Sequence, residues 1–205
     1  MPRKINLILP KHKVPKAIQG EQRLYFLAGP IRGAIDWHKE AALMLSKKDQ
    51  GCYIVCPSRY GTDHKLYKHS LKGVPLTKGE FPNQTMWERY YLKKASMHGS
   101  IIFWLPLENK LKRRKRKDGP YAQDSFGELG RWSAIDALKF PGKTEKYHTM
   151  MVIGAEKNFY GLKVIKKNLD ADYGYPFPIH ETLEATVEAA IINASKPHKR
   201  KNRKK

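Results

Sequence analysis

The chain has 205 residues, 40% of them hydrophobic and 11% aromatic, a composition that favours one globular domain over general disorder. No apolar run approaches the roughly 20 residues that a membrane span needs, and residues 1–16 lack the apolar centre of a signal peptide. These features exclude an integral membrane protein and argue against secretion. We therefore expect a cytoplasmic protein without a membrane partner.

The formal net charge is +21, and most of the excess lies in three blocks without an acidic residue: 1–16, 110–117 and 196–205. Like-charged blocks of this kind favour contact with a polyanion such as RNA or DNA. A purely solubilising role is the alternative, because no aromatic side chains alternate with the charges. The candidate nucleic-acid contacts are Lys112, Arg113, Arg114, Lys115, Arg116, Lys117, Lys199, Arg200 and Lys201.

The first predicted elements are a strand over 23–28, a glycine-bearing turn over 29–33 and a helix that starts near Trp37 and ends at 47–51. A second strand follows at 52–56. Its two cysteines are predicted to be buried thiols rather than a disulfide or a metal site, since side chains four apart on a strand are too distant to bridge easily.

Residues 58–83 are rich in glycine, proline, histidine and tyrosine, which predicts a long surface loop and a candidate substrate lid. A second helix is predicted over 84–97. The continuous apolar run 100–105 indicates a strand covered on both faces of a parallel sheet. Residues 106–123 carry a basic block and a turn signal, so we expect an exposed insertion there.

A third helix is predicted from about residue 127, with Leu129, Trp132, Ile135 and Leu138 inward. Strands at 149–154 and 162–165 and a helix over 183–194 complete the chain. This alternation predicts an α/β fold with an open, mostly parallel sheet and helices on both faces. Such sheets bind ligands in a crevice beyond the carboxyl ends of their strands.

The turn at 29–33 should lie at that crevice because it directly follows the first strand. Gly29 and Gly33 permit close backbone approach, and Arg32 offers a two-pronged donor for an anion. These features suit a phosphate or a sugar. A purely structural turn is the alternative interpretation.

Glu128 begins the helix after the third predicted strand and should face the same crevice. Gly127 and Gly130 leave space around it, and a helix N-terminus favours an ionised carboxylate. Glu128 is therefore a candidate nucleophile or base, although an ordinary acid in a first helical turn would show the same pattern. Trp104, at the end of the third strand, is a candidate for stacking on a base.

Three motifs together resemble the nucleoside 2-deoxyribosyltransferase family. They are residues 25–31, the pair Trp87 and Glu88 before an apolar strand, and residues 127–130 at a helix start. The turn over 31–33 is similar to the deoxynucleoside 5′-monophosphate N-glycosidase branch of that family. The resemblance implies a flavodoxin-like sheet of order 2-1-3-4-5 and cleavage of the bond between a nucleobase and a sugar.

The resemblance also assigns roles to residues. Glu128 would attack the anomeric carbon, and Glu88 would serve the leaving base. The family often places Asp or Ser six positions before the nucleophile, where this chain has Ala122, so Asp124 or Ser125 would have to substitute. The implied substrate-binding residues are Tyr25, Gly29, Pro30, Ile31, Arg32, Gly33, Trp104, Asp124, Ser125 and Gly127.

No metal or cofactor is expected, and family members commonly assemble as homo-oligomers. The predicted organisation is a basic arm (1–20), a deoxyribosyltransferase-like domain (21–195) with a basic insertion (106–123), and a basic tail (196–205). The main prediction is an enzyme that transfers a (deoxy)ribosyl group to another base or to water. The alternative is a nucleic-acid- or ribonucleoprotein-binding protein that keeps this fold, with catalysis secondary or lost.

Overall fold

The computed structural model describes residues 5–10, 12–13, 23–58, 60–69, 74–75, 81–139 and 148–196. The strands are β1 (Asn6–Ile8), β2 (His12–Lys13), β3 (Leu24–Ala28), β4 (Tyr53–Val55), β5 (Val74–Pro75), β6 (Gly99–Leu105), β7 (Met151–Ala155) and β8 (Ile179–His180). The helices are α1 (Trp37–Lys48), α2 (Gln84–His98), α3 (Gln123–Lys139), α4 (Leu162–Tyr173) and α5 (Leu183–Ser195).

Six strands form one parallel sheet in the order β1-β4-β3-β6-β7-β8, and β2 pairs with β5 in a separate antiparallel ribbon. The predicted α/β fold, a flavodoxin-like open sheet, is confirmed. The predicted order 2-1-3-4-5 corresponds to β4-β3-β6-β7-β8. Strand β1 extends the sheet beyond β4.

The central strands β3 and β6 are buried along their whole length, as their continuous apolar sequences require. Alternate side chains of β3 enter opposite layers: Phe26 and Ala28 pack with apolar residues of α2, α3 and α4, whereas Tyr25 and Leu27 pack with those of α1 and α5. The helices therefore cover both faces of the sheet. The face toward which a strand residue points decides whether its side chain lies near α2 and α3.

Three helices begin at residues whose side chains cap them. Asn83 Oδ1 accepts the Met86 N–H at 3.0 Å before α2, and Thr182 Oγ1 accepts the Ala185 N–H at 3.1 Å before α5. Asp36 Oδ1 accepts the Lys39 N–H at 3.4 Å before α1. Each bond satisfies a backbone donor that has no partner within its helix, which fixes where the chain turns into the helix.

The predicted strand at 162–165 is wrong, because these residues form the first turn of α4. Ile165, Leu169 and Tyr173 are buried at helical spacing, and Gly161 and Gly174 adopt left-handed conformations at the two ends. The fifth strand of the predicted order is instead β8. A short apolar run is compatible with either structure, and only the spacing of the residues beyond it identifies the helix.

Two further expectations need correction. The predicted arm over 1–20 contains β1, which pairs with β4, and the alternating Ile5, Leu7 and Leu9 are buried. Leu138 was expected to face inward but is 81% exposed near the end of α3.

None of the helices in the described ranges combines the length and the apolar character that a membrane span requires.

Candidate active site

A cleft of about 1070 Å³ lies beyond the carboxyl ends of β3 and β4, between α2 and α3. Phe26, Leu92 and Trp132 form part of its apolar lining. This is the position that an open parallel sheet predicts for a ligand. The cleft brings together most of the predicted site residues: Gly29, Pro30, Ile31, Arg32, Glu88, Asp124, Ser125, Gly127 and Glu128.

Glu128 is half-buried and reaches the cleft from the second turn of α3, five residues after the helix begins at Gln123. Burial raises the pKa of its carboxyl to about 7, and the negative charges of Glu88 and Asp124 add to the shift. The expectation that Glu128 opens its helix and is held ionised by the helix N-terminus is therefore wrong. Desolvation outweighs the helix dipole, whose effect fades beyond the first turn.

Glu88 lies on α2 and faces the same cleft. The side-chain amide of Gln84 donates to Glu88 Oε1 at 2.7 Å and to the backbone oxygen of Pro57 at 3.1 Å. Gln84 thus links the Glu88 carboxylate to the segment that follows β4. This link restricts the orientation of the carboxylate toward the cleft.

The start of α3 gives Asp124 and Ser125 different environments. Ser125 is buried in the cleft wall, whereas Asp124 is mostly exposed and pairs with the Arg114 guanidinium at 3.4 Å. Ala122 precedes the helix in a left-handed conformation (φ 61°), and its carbonyl oxygen accepts the Phe126 N–H at 3.0 Å. Ala122 lines the cleft but offers a methyl group where the family resemblance leads one to expect a polar side chain.

The turn over 29–33, called the glycine turn below, is tightly packed against its neighbours. Gly29 has φ 145°, and a Cβ there would collide with the backbone oxygen of Trp104. Gly33 has φ 80°, and its Cβ would lie 2.9 Å from the backbone nitrogen of Arg114. Both glycines thus permit close approach to the protein's own backbone. Trp37 Nε1 donates to the Pro30 oxygen at 2.9 Å, which fixes the middle of the turn.

Three predicted substrate contacts do not line the cleft: Tyr25, Gly33 and Trp104. Tyr25 and Trp104 point to the α1 and α5 side of the sheet, because their positions on β3 and β6 have the opposite parity to Phe26 and Phe103. The Tyr25 hydroxyl donates to Asp49 Oδ2 at 2.6 Å, away from the crevice. The predicted contact of Tyr25, Gly33 and Trp104 with the substrate is therefore corrected, because none of the three lines the cleft.

The segment 110–117, called the basic segment below, is held beside the glycine turn rather than standing apart from the fold. The Asn109 N–H donates to the Gly33 oxygen at 2.6 Å, and Arg32 pairs with Asp118 at 3.5 Å. Arg114 was predicted to contact nucleic acid, but only 7% of its side chain is exposed, and its guanidinium donates to the Asp118 oxygen. The exposed cations of this segment include Lys112, Arg113, Lys115, Arg116 and Lys117. Lys199, Arg200 and Lys201 lie outside the described residues.

Four cationic residues in the cleft wall were missed by the sequence analysis: Arg89, Lys93, Arg131 and Lys139. A signal was present for Arg131, which follows Glu128 at three positions and so lies on the same face of α3. Arg89 and Lys93 follow Glu88 at one and five positions, which turns them away from the face of Glu88, so helical spacing alone does not place them near the site.

A second polar cluster joins the predicted lid region to the start of α1. The Tyr60 hydroxyl donates to Asp36 Oδ1 at 2.6 Å, and His64 Nε2 lies 3.0 Å from Asp36 Oδ2. His64 Nδ1 accepts the Leu66 N–H at 3.3 Å, which leaves the ring proton of neutral His64 on Nε2, facing Asp36. Residues 60–69 do not line the cleft. Their contacts fasten this part of the loop to α1.

Cys52 and Cys56 are buried free thiols, and burial raises the pKa values to about 12 and about 11 respectively. At neutral pH both are therefore protonated and poorly nucleophilic. Within the described ranges, no three His, Cys, Asp or Glu side chains are grouped so that they could hold a metal ion.

The sequence matches no protein-family model and no curated protein. Its assignment to a function therefore depends on the geometry of the cleft and on the resemblance of its three motifs.

Proposed function

We propose that this chain is an N-glycosidic-bond enzyme that acts on nucleosides or nucleoside 5′-monophosphates. The observation that carries the proposal is the placement of Glu88 and Glu128 on separate helices facing one cleft, beside the glycine turn and Arg32. Displacement of a base from a sugar is helped by one carboxylate at the anomeric carbon and one acid that serves the leaving base. The family resemblance of the same segments supports this choice of reaction.

In the first step a Glu128 oxygen bonds to the anomeric carbon while the bond between that carbon and the base nitrogen breaks. The bonding electrons leave with the base, which receives a proton from the Glu88 carboxyl group. In the second step a water oxygen, or the nitrogen of a second base, replaces Glu128 at the anomeric carbon. The proton released by that group returns to Glu88, and Glu128 leaves as a carboxylate.

The pKa of Glu128, raised to about 7, fits an environment prepared for a positive charge. The transition state of glycosidic cleavage resembles an oxocarbenium ion. That cation favours the ionised form of Glu128, and the low polarity that raises the pKa also strengthens the attraction between them. The same desolvation that disfavours the ionised carboxylate in the empty cleft thus stabilises the reacting state.

Arg32 is the proposed contact for a 5′-phosphate. Its side chain is 67% exposed at the edge of the cleft, and its pairing with Asp118 at 3.5 Å is long. A phosphate offers a guanidinium two short, charge-assisted bonds, which are stronger than a long contact with one carboxylate. Nucleoside 5′-monophosphates are therefore the preferred substrate class, with nucleosides next.

The test is to incubate the protein with nucleosides and with ribo- and deoxyribonucleoside 5′-monophosphates, and to measure free base by chromatography. Glu128→Gln should abolish release, and Glu88→Gln should reduce it strongly. Glu181→Gln is the matched control, because Glu181 is exposed and does not line the cleft. The proposal fails if no substrate yields free base, or if Glu128→Gln is as active as Glu181→Gln.

Adding a second base to the reaction separates a transferase from a hydrolase, since only a transferase yields the exchanged nucleoside. Assembly into a homo-oligomer and a cytoplasmic location stay predictions from the sequence.

A further inference from the structure

The cleft continues as a groove along α2 and α3. Its lining extends on α2 from Gln84 to Met97 and on α3 from Asp124 to Lys139. At 1.5 Å of rise per residue, each wall is roughly 20 Å long. A stacked nucleic-acid strand advances about 3.4 Å per nucleotide, so the groove is longer than one mononucleotide requires.

The groove carries more positive than negative side chains. It is lined by six cationic residues and three carboxylic residues. One of the three carboxylic residues, Glu128, has a pKa raised to about 7. Lys93 and Lys139 lie toward the far ends of the two walls, beyond the Glu88 and Glu128 pair. A single 5′-phosphate held at Arg32 would leave these distant cations without a role.

The groove also contains surfaces suited to bases. Met97 of α2 and Ile135 of α3 lie on its opposite walls, whereas Trp132, which also lines it, is largely buried, with 8% of the residue exposed. Met97 is 41% exposed, and Ile135 is half-buried. Apolar surface flanked by cations lets bases lie against the protein while the cations bind the phosphates.

The exposed cations of the basic segment continue this positive surface at the mouth of the cleft. The segment is fixed there by the bond from Asn109 to Gly33 and by the pairing of Arg32 with Asp118. Cations therefore extend from the basic segment, past Arg32 and Arg131, to Lys93 and Lys139.

We propose that the groove binds a single strand of nucleic acid and presents one of its nucleotides to Glu128. The inference rests on the proposed function for the fate of that nucleotide. Phosphates of the strand bind the cations at the mouth and along both walls, while neighbouring bases lie on Met97 and Ile135. A second copy of the chain is a poorer occupant, because two such grooves would bring their excess positive charges together.

The experiment measures the binding of a fluorescent single-stranded oligonucleotide to the full-length chain by anisotropy over a series of salt concentrations, with deoxyribose and ribose strands in parallel. Lys93→Ala/Lys139→Ala should weaken binding roughly tenfold at low salt and flatten the salt dependence. The matched control is Lys163→Ala/Lys167→Ala, which removes two exposed helical lysines of α4 that do not line the groove. Basic residues outside the described ranges are the same in both variants.

A nucleoside 5′-monophosphate in excess should lower the affinity for the strand, since both occupy the cleft. Arg131→Ala provides a second groove variant. Equal binding by the groove and control variants, or no competition by the mononucleotide, would overturn the inference. So would sedimentation that shows a dimer of the parent chain which the groove variants dissociate, because a second copy would then occupy the groove.

The two proposals fail in different ways. If the groove variants weaken strand binding but no base is released from any substrate, the groove inference stands and the proposed function is rejected. If mononucleotides release their base while the strand neither binds in the groove nor competes, the proposed function stands and the groove inference is rejected.

Discussion

Burial and the negative charge of Glu88, across the cleft on α2, together raise the pKa of Glu128 on α3. Each carboxylate is fixed to its own helix, and their shared cleft limits the water that could screen one charge from the other. The two helices are joined in the chain through β6 and the basic segment, and they flank one cleft beyond β3 and β4.

The activity should increase with pH through the pKa of Glu128. In the proposed reaction Glu128 attacks as a carboxylate, so kcat/KM should rise from low pH through an apparent pKa of about 7. Asp124→Asn removes one of the negative charges that raise this pKa, so the rise should move to lower pH. Asp172→Asn, an exposed substitution on α4, should leave the profile unchanged. A profile that instead falls through pH 7 would assign Glu128 the role of the acid.

Glu128 should also make the stability of the fold depend on pH. The pKa of Glu128 is raised from 4.5 to about 7 in the folded chain. Its contribution to the free energy of unfolding is therefore fully present below pH 4.5 and is lost as the pH rises through 7. Glu128→Gln removes this dependence. The variant should match the parent in acid and exceed its free energy of unfolding by about 1–3 kcal/mol at a pH of about 8.

Urea unfolding at both pH values measures this difference, with Glu181→Gln as the exposed control. If Glu128→Gln and the parent chain keep a constant difference in the free energy of unfolding over this range, Glu128 is not buried as described.

Gly29→Ala should destabilise the fold. The new methyl group would meet the Trp104 carbonyl oxygen, and φ at this position is 145°. We expect a loss of roughly 2–4 kcal/mol, measured by chemical denaturation. Gly130→Ala is the matched control, because a Cβ at Gly130 meets nothing within 4 Å and the residue lies inside a helix. This control should gain up to about 1 kcal/mol.

Tyr173→Phe should weaken the packing of α4 against α3. The Tyr173 hydroxyl donates to Asp136 Oδ2 at 2.8 Å, and Asp136 is fully buried. Loss of this bond to a charged group should cost about 1.5–3 kcal/mol of unfolding free energy. Tyr160→Phe, at a ring that is 87% exposed, should change stability little. Thermal or urea unfolding of the two variants measures this difference, and equal stability of Tyr173→Phe and Tyr160→Phe would contradict the prediction.

The fold was predictable to the extent that its signals are local. The apolar runs of β3 and β6 and the spacing of Trp37, Ala41 and Leu45 in α1 identify their elements without reference to the rest of the chain. The segment 162–165 was misassigned because its apolar residues fit either structure when taken alone. The pairing of β1 with β4 joins residues 47 positions apart, and no local pattern specifies that partner.

The site was predictable in part for the same reason. The crevice rule places the glycine turn and Glu128 together, because it depends only on the order of strands and helices. Which side of a strand a residue faces depends on register, and this separates Tyr25 and Trp104 from the cleft. The pKa of Glu128 depends on burial and on Glu88, which are properties of the assembled tertiary structure.

The position of β1 has a consequence for how the protein can be shortened. Removing the first 20 residues, as the predicted domain boundary suggests, would delete the strand that pairs with β4 and the bonds from the Asn6 amide to Gly51 and Cys52. The backbone donors and acceptors of Tyr53–Val55 would then form a bare sheet edge, open to strands of other molecules. Shortened chains that start near residue 21 should therefore self-associate, and useful truncations begin before Ile5.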